Sequence, residues 1–235
     1  MKKLVTLITA VTIIVTGLAS GQSVNKEKPL PEPDRGSVSG QTYKNGFFGF
    51  TYELPQGWSP LSADELKKFD EEKTRQSIER YGPNGRRLFE SGVLTLSAEW
   101  TLLHAAPPTP ESKPGRFAPV IVLIAEEGNP LQRGSSGLTK GKPIDNYFQS
   151  SSVADPLQSP DHRMERRPTP LSLGGRDFVR ADFRIKKKGG DIWEAWFVTF
   201  AKGYFLRLEI GAGSREELDG LAESTKSLSF SSKHK

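Results

Sequence analysis

Between residues 173 and 230 the chain reads LGGRDFVRADF (173–183), a basic connection RIKKKGG (184–190), DIWEAWFVTFAKGYFLRLEI (191–210) and GAGSREELDGLAESTKSLSF (211–230). In 176–185, Val179, Ala181, Phe183 and Ile185 share one face, and Arg180, Asp182 and Arg184 share the other. Period-two alternation of this kind is the pattern of a strand. In 192–201 both faces are apolar, with Trp193, Ala195 and Phe197 opposing Trp196, Val198 and Phe200. Lys202-Gly203 is a two-residue hairpin turn. In 204–210, Tyr204, Leu206, Leu208 and Ile210 face inward, against Arg207 and Glu209. Ser214 is placed to cap a helix with Glu217 at its third position, and Leu218, Leu221, Ala222 and Thr225 form its apolar stripe. Leu228 and Phe230 are suited to a short edge strand. A three-strand meander followed by a returning helix is therefore expected.

Upstream, FFGFTYELP (47–55) alternates Phe48, Phe50, Tyr52 and Leu54 with Gly49, Thr51 and Glu53, a half-buried strand. Ser62 and Glu65 form a capping-box pair, with Leu61 and Leu66 as a hydrophobic staple, opening a charged surface helix that reaches about Tyr81. Residues 91–103 are expected as a strand with Leu94, Leu96, Ala98, Trp100 and Leu102 on one face. Residues 105–115 are too Pro-rich for regular structure. PVIVLIA (119–125) is continuously apolar and β-branched, which places it in the sheet centre, covered on both faces. Residues 129–143 are a loop, and Ile144, Tyr147, Phe148 and Ser151 recur at helical spacing over 143–153. The fold class expected is α+β, an antiparallel sheet of about five to seven strands with helices on both faces, an α/β/α sandwich.

The N-terminus is organised differently. Lys2 and Lys3 precede an uncharged apolar run, Leu4 to Val15, and then the small residues Gly17, Ala19 and Ser20. This is the pattern of a secretory signal peptide over 1–20; an uncleaved anchor is the alternative. The run is shorter than the ~20 residues that span a bilayer, so no transmembrane segment is expected after cleavage. Residues 21–41 are polar and rich in Pro, Gly and Ser, the composition of a flexible linker, leaving 42–231 as one domain. An exported protein, periplasmic or extracellular, is expected. Removal of Lys2 and Lys3 lowers the net charge from +5 to +3, too weak an excess to imply nucleic acid. The chain of 235 residues has no cysteine, so it has neither disulfides nor thiol chemistry.

Motifs for catalysis are sparse. Gly211-Ala-Gly213 lies between a strand and a helix, but Glu216 stands where a dinucleotide fingerprint has its third glycine. A tight turn into a capped helix is the simpler reading. GSSG (134–137) is not a nucleophile elbow. The three histidines are His104, His162 and His234. The sequence contains neither HExxH nor a DxDxDG loop, and no metal site, cofactor or catalytic residue is expected. Basic residues do cluster. From Arg163 to Lys188 there are nine (Arg163, Arg166, Arg167, Arg176, Arg180, Arg184, Lys186, Lys187 and Lys188), against the three acids Glu165, Asp177 and Asp182. Arg163, Arg166, Arg167, Arg180, Arg184, Lys186, Lys187 and Lys188 are the candidate binding residues, for an acidic protein or an envelope component such as lipid headgroups. The plainer reading is a solvated strand face and a charged loop. Few aromatics interleave with these charges, which argues against single-stranded nucleic acid.

Three places together resemble the PsbP-like superfamily, which includes DcrB-type and other small exported bacterial proteins. They are NGFFGFTYELPQGW (45–58), the GRDFVRADF strand leading through WEAWFVTF to KGYFLRLEI, and the terminal SREELDGLAESTKSLSF. The resemblance covers both ends of the domain; the middle, roughly 59–170, is longer and more Pro-rich than the family pattern. It implies an antiparallel sheet between helices and a non-catalytic binding or accessory role, and carries no functional residue with it. Two other functions are kept open. One is an exported hydrolase using His104 or His162 beside a serine or carboxylate. The other is a small-ligand carrier with an apolar cavity near Trp100 or Trp196.

Overall fold

A computed structural model describes residues 30–79, 82–90, 99–108, 117–128, 144, 147–148 and 160–231. Several expectations lie outside these residues: the signal peptide, the linker as far as 29, residues 91–98 of the expected strand, the GSSG loop and His234. So do most of the loops at 105–115 and 129–143, and the helix 143–153 apart from Ile144, Tyr147 and Phe148. In chain order the described residues form β1 (Ser37–Ser39), β2 (Thr42–Asn45), β3 (Phe50–Glu53), β4 (Ser59–Pro60), α1 (Ala63–Glu79), α2 (Gly85–Glu90) and β5 (Glu99–Ala106). They continue with β6 (Val120–Glu127), β7 (His162–Leu173), β8 (Arg176–Ile185), β9 (Ile192–Ala201), β10 (Tyr204–Ala212), α3 (Arg215–Ala222) and β11 (Ser229–Phe230).

These strands make two antiparallel sheets where one was expected. The larger has seven strands in the order β4-β5-β6-β10-β9-β8-β7, and the smaller has four in the order β1-β2-β3-β11. The small sheet covers much of one face of the large one, where helices alone were expected. Tyr43, Phe50 and Tyr52 of the small sheet pack in one core with Ile121, Leu123, Phe197, Leu206, Leu208 and Ile210 of the large sheet. Helix α3 adds Leu218 and Ala222 to the same core. Each such side chain taken out of water contributes about 1.5–3 kcal/mol. Across the sheet a second core gathers Val179, Ala181, Phe183, Val198 and Phe205 under Ile144, Tyr147 and Phe148. Alternation along β8, β9 and β10 feeds both cores, which is why β9 is apolar on both faces.

Local signals act as their chemistry dictates. The Ser62 amide donates to Glu65 Oε2 at 2.8 Å and the Glu65 amide to Ser62 Oγ at 3.4 Å, closing the capping box of α1. The Glu217 amide donates to Ser214 Oγ at 3.1 Å, and Glu217 Oε2 accepts from the Gly213 amide at 3.0 Å, so the Gly-x-Gly segment ends β10 and enters α3. Lys202 (φ 53°) and Gly203 (φ 89°) both lie in the left-handed region, as a primed hairpin turn requires.

Two expectations are corrected by packing. Residues 30–41 are not a tether. Leu30 and Val38 lie against the large core, Tyr204 Oη donates to the Pro31 carbonyl at 2.8 Å, and Asn45 Nδ2 donates to the Asp34 carbonyl at 2.9 Å. Arg35 Nη1 bonds Asp70 Oδ2 at 2.9 Å and the Thr101 carbonyl at 2.6 Å. The segment is held by polar groups of distant elements, which its composition does not reveal. In β5 the register shifts between Thr101 and Leu103, so Leu102 and Leu103 both enter the core and simple alternation stops at Thr101.

Candidate functional site

The basic segment falls on the outer end of the large sheet. β7 is the edge strand, paired on one side with β8, and most of its side chains are exposed. Pairing sets His162 opposite Ile185 and Arg163 opposite Arg184, and the Lys186 amide donates to the Asp161 carbonyl at 2.8 Å. The start of β7 and the β8–β9 loop therefore form one corner.

Within that corner the candidate cations divide into two groups. Asp182 is fully buried and is paired with Arg166 of β7 (2.9 Å), Arg180 of β8 (2.7 Å) and Arg215 of α3 (2.9 Å). Arg180 also reaches Asp219 of α3 at 3.4 Å and lies over the Phe197 ring. Arg184 pairs with Asp191 and lies over Trp193. Arg163 pairs with Glu165 at 3.5 Å while its side chain stays 75% exposed. By contrast Arg167, Lys186, Lys187 and Lys188 are exposed and form no ion pair with the described residues. The strand face carrying Arg180 and Asp182 lies beneath α3 and is not solvated.

A second charged cluster, which sequence reasoning missed, lies on the opposite face of the sheet. Arg207 of β10 is buried there among three carboxylates and the Tyr147 hydroxyl. It contacts Glu209 (2.5 Å), Glu126 (3.3 Å) and Glu99 (3.9 Å), donates to the Tyr147 hydroxyl, and stacks on Trp196 at 4.8 Å. Tyr147 Oη donates to Glu126 Oε2 at 2.9 Å, and Lys73 of α1 binds Glu99 at 2.9 Å. Burial works against the Arg207 charge, but Tyr147 and the carboxylates outweigh it and hold the guanidinium firmly protonated. Burial also pushes Glu99 up, yet Arg207 and Lys73 bring it below its ordinary value. Glu194 behaves oppositely. Burial first, and then the Glu209 charge, raise it to about 7, against a hydrogen bond from Trp196 Nε1 at 3.1 Å and the charge of Arg207. The signal for this cluster was Arg207-Leu-Glu209 on a strand between two doubly apolar neighbours, where a charge must be buried and paired.

Glu194 makes a measurable prediction. Its folded value exceeds the ordinary 4.5, so the folded chain binds the extra proton and stability falls as pH rises from about 4.5 to 7. The full shift corresponds to roughly 3 kcal/mol, and partial solvent contact reduces the expected effect to about 2 kcal/mol. Glu194→Gln mimics the protonated form, so it stabilises the chain by about that much near pH 8 and by much less near pH 5. Urea unfolding at both pH values measures this; an equal effect at both removes the assignment.

The histidines do not come together. His104 on β5 and His162 on β7 are five strands apart, roughly 24 Å across the sheet. His104 packs edge-on against Phe69 at 5.0 Å, and burial lowers its pKa. Trp100 packs on Tyr204 and donates to Glu32 at 3.2 Å, while Trp196 packs on Phe148 and Phe183. A groove of about 350 Å³ lies away from both tryptophans, lined by Arg35, Val38, Tyr43, Leu61, Leu66 and Leu102 among others. No helix among the described residues is long and apolar enough to cross a membrane.

No family model matches the chain, and no curated protein matches it. Solved structures do. Cyanobacterial PsbP (CyanoP) from Synechocystis sp. PCC 6803 superposes with a TM-score of 0.45 at 12% identity, covering 83% of this chain and 98% of that one. LpqN of Mycobacterium tuberculosis, described as involved in cell envelope biogenesis, gives 0.39 at 12% identity, covering 79% and 87%. Scores at this level do not assign the chain to a family.

Proposed function

We propose that the chain is an exported, non-catalytic binding module whose contact surface is the sheet corner formed by residues 161–167 and 184–191. The observation that carries this reading is the sorting of charge. Arg166, Arg180 and Arg184 each hold a carboxylate of the chain itself, whereas Arg167 and Lys186–Lys188 stand exposed and pair with none among the described residues. Of these only Lys187 acts on a carboxylate of the chain, Glu194, and does so at a distance; cations without a close partner are available to an anionic protein or envelope component. Export is supported by the Lys2-Lys3 n-region, the apolar run Leu4 to Val15, and the small residues after it. The non-catalytic reading is supported by the separation of His104 from His162 and by the pairing of the interior carboxylates with Arg207 and Lys73.

A photo-crosslinking residue introduced at Lys187, and separately at Thr74 on α1, tests the surface in cells producing the full chain. The expected result is a defined adduct from 187 and none from 74, on a chain whose N-terminus has been trimmed near Ser20. No adduct from position 187 overturns the surface, and a chain that keeps Met1 overturns the export by cleavage.

A further inference from the structure

We infer that the lysine tip is a contact for an anionic bilayer surface. The inference rests on the reading of this corner as the contact surface and names its partner class. Three consecutive lysines, Lys186 to Lys188, occupy the β8–β9 loop and are followed by Gly189-Gly190, with Gly190 at φ 130°. Three adjacent lysines on one exposed loop spread positive charge over the tip. A lysine is a hydrated point charge on a flexible stem, whereas shaped bidentate recognition of a single carboxylate or phosphate favours arginine. Here most of the arginines are committed elsewhere: Arg166, Arg180 and Arg184 pair with Asp182 and Asp191, which leaves Arg167 beside the lysines. What remains at the tip suits a broad field of negative charge such as a layer of anionic headgroups.

Two further features favour a lipid surface over a protein strand. The β7 edge is poorly suited to accept another strand. Pro168 and Pro170 supply no amide donors, and the register is broken between Met164 and Arg166 and again between Arg166 and Thr169. Beside the tip, Met164 is 38% exposed, the exposed large hydrophobic side chain among the described residues. Arg163 and Glu165, which pair with each other, flank it, and Arg166 and Arg167 follow on the same strand. An exposed apolar side chain on a strand with a net positive charge suits the boundary between headgroups and acyl chains.

The test is co-sedimentation with vesicles, using the chain in the form that cells accumulate. Vesicles of phosphatidylcholine alone are compared with vesicles containing about a quarter phosphatidylglycerol, at low and high salt. The wild-type chain is expected to bind the anionic vesicles, to lose that binding at high salt, and to bind neutral vesicles far more weakly. The variant Lys186→Gln/Lys187→Gln/Lys188→Gln is expected to lose on the order of 100-fold in affinity for the anionic vesicles. These lysines form no ion pair with the described residues, and only Lys187 acts on a carboxylate, Glu194, so the variant is expected to stay close to the wild-type urea midpoint, which is measured alongside. Any contribution from residues 4–15 is the same in both chains and does not depend on lipid charge. Equal binding of the two chains, or binding that ignores phosphatidylglycerol, overturns the inference. If the Lys187 crosslinker meanwhile captures a protein, the contact surface stands and the lipid is refuted. If it captures nothing, the surface itself fails.

Discussion

Asp182→Ala is expected to lower the stability of the chain by about 3–5 kcal/mol, the cost of removing one partner from a buried ion pair. Asp182 is fully buried and holds arginines from three elements: Arg166 of β7, Arg180 of β8 and Arg215 of α3. Arg180 and Arg215 keep Asp219 as a second anion, at 3.4 and 2.9 Å, but Arg180 is held in a largely covered position over Phe197. Without Asp182 the guanidinium groups repel one another across the junction of β8 and α3. Urea unfolding measures the loss, and amide exchange over 215–222 is expected to quicken as α3 loosens. A loss under about 1 kcal/mol means that Asp219 alone neutralises the arginines and that the site is a surface pair. The same geometry shapes any test of the contact surface. Reversing the charge of Arg166 removes a partner of Asp182 and perturbs the fold, so the lysines are the clean positions to change.

Arg207→Met is expected to cost about as much, roughly 3–5 kcal/mol, with a marked dependence on pH. The thioether fills similar volume but leaves Glu126, Glu99 and Glu209 facing one another around Tyr147 without their common cation. Burial raises Glu99 and Arg207 is the largest charge that offsets it, so without Arg207 the folded pKa of Glu99 moves up. A raised carboxylate stabilises the fold only while it is protonated, so the cost is expected to be smallest near pH 5 and largest near about pH 8. Combining Arg207→Met with Glu126→Gln is expected to recover part of the loss, because the second change removes one uncompensated charge. Denaturant midpoints of the single and double variants at the two pH values check both statements. A loss independent of pH points to lost packing on Trp196 instead.

The meander 173–230 was legible because its signals are local. Alternating Val179, Ala181, Phe183 and Ile185, the Lys202-Gly203 turn, and the Ser214–Glu217 cap each act over a few residues. The capping box of α1 and the buried face of Phe48, Phe50, Tyr52 and Leu54 were legible for the same reason. β7 was read only as a charged segment. An exposed edge strand needs no apolar face, and its pairing with β8 is a non-local choice that its own residues do not announce. The ordering of residues 30–41 was missed for a related reason, since it depends on hydrogen bonds with Tyr204, Asp70 and Thr101, far away in the chain, while β1 pairs with the neighbouring β2 but has no apolar alternation of its own.

The sequence by itself determined that the chain carries an export pattern, that it has no thiol chemistry, and that its C-terminal third is a meander closed by a capped helix. Composition and short-range periodicity suffice for these, because each rests on residues that touch their neighbours in the chain. Tertiary structure alone decided which of the clustered cations are committed. Asp182 looks like one acid among nine bases until α3 folds over β8 and β9 and turns the arginines inward. Ion pairing depends on distances of a few ångströms between distant segments, so the same nine charges could have been a uniform patch. The fold ties Arg166, Arg180 and Arg184 to its own carboxylates and leaves Arg167 and the lysine tip exposed.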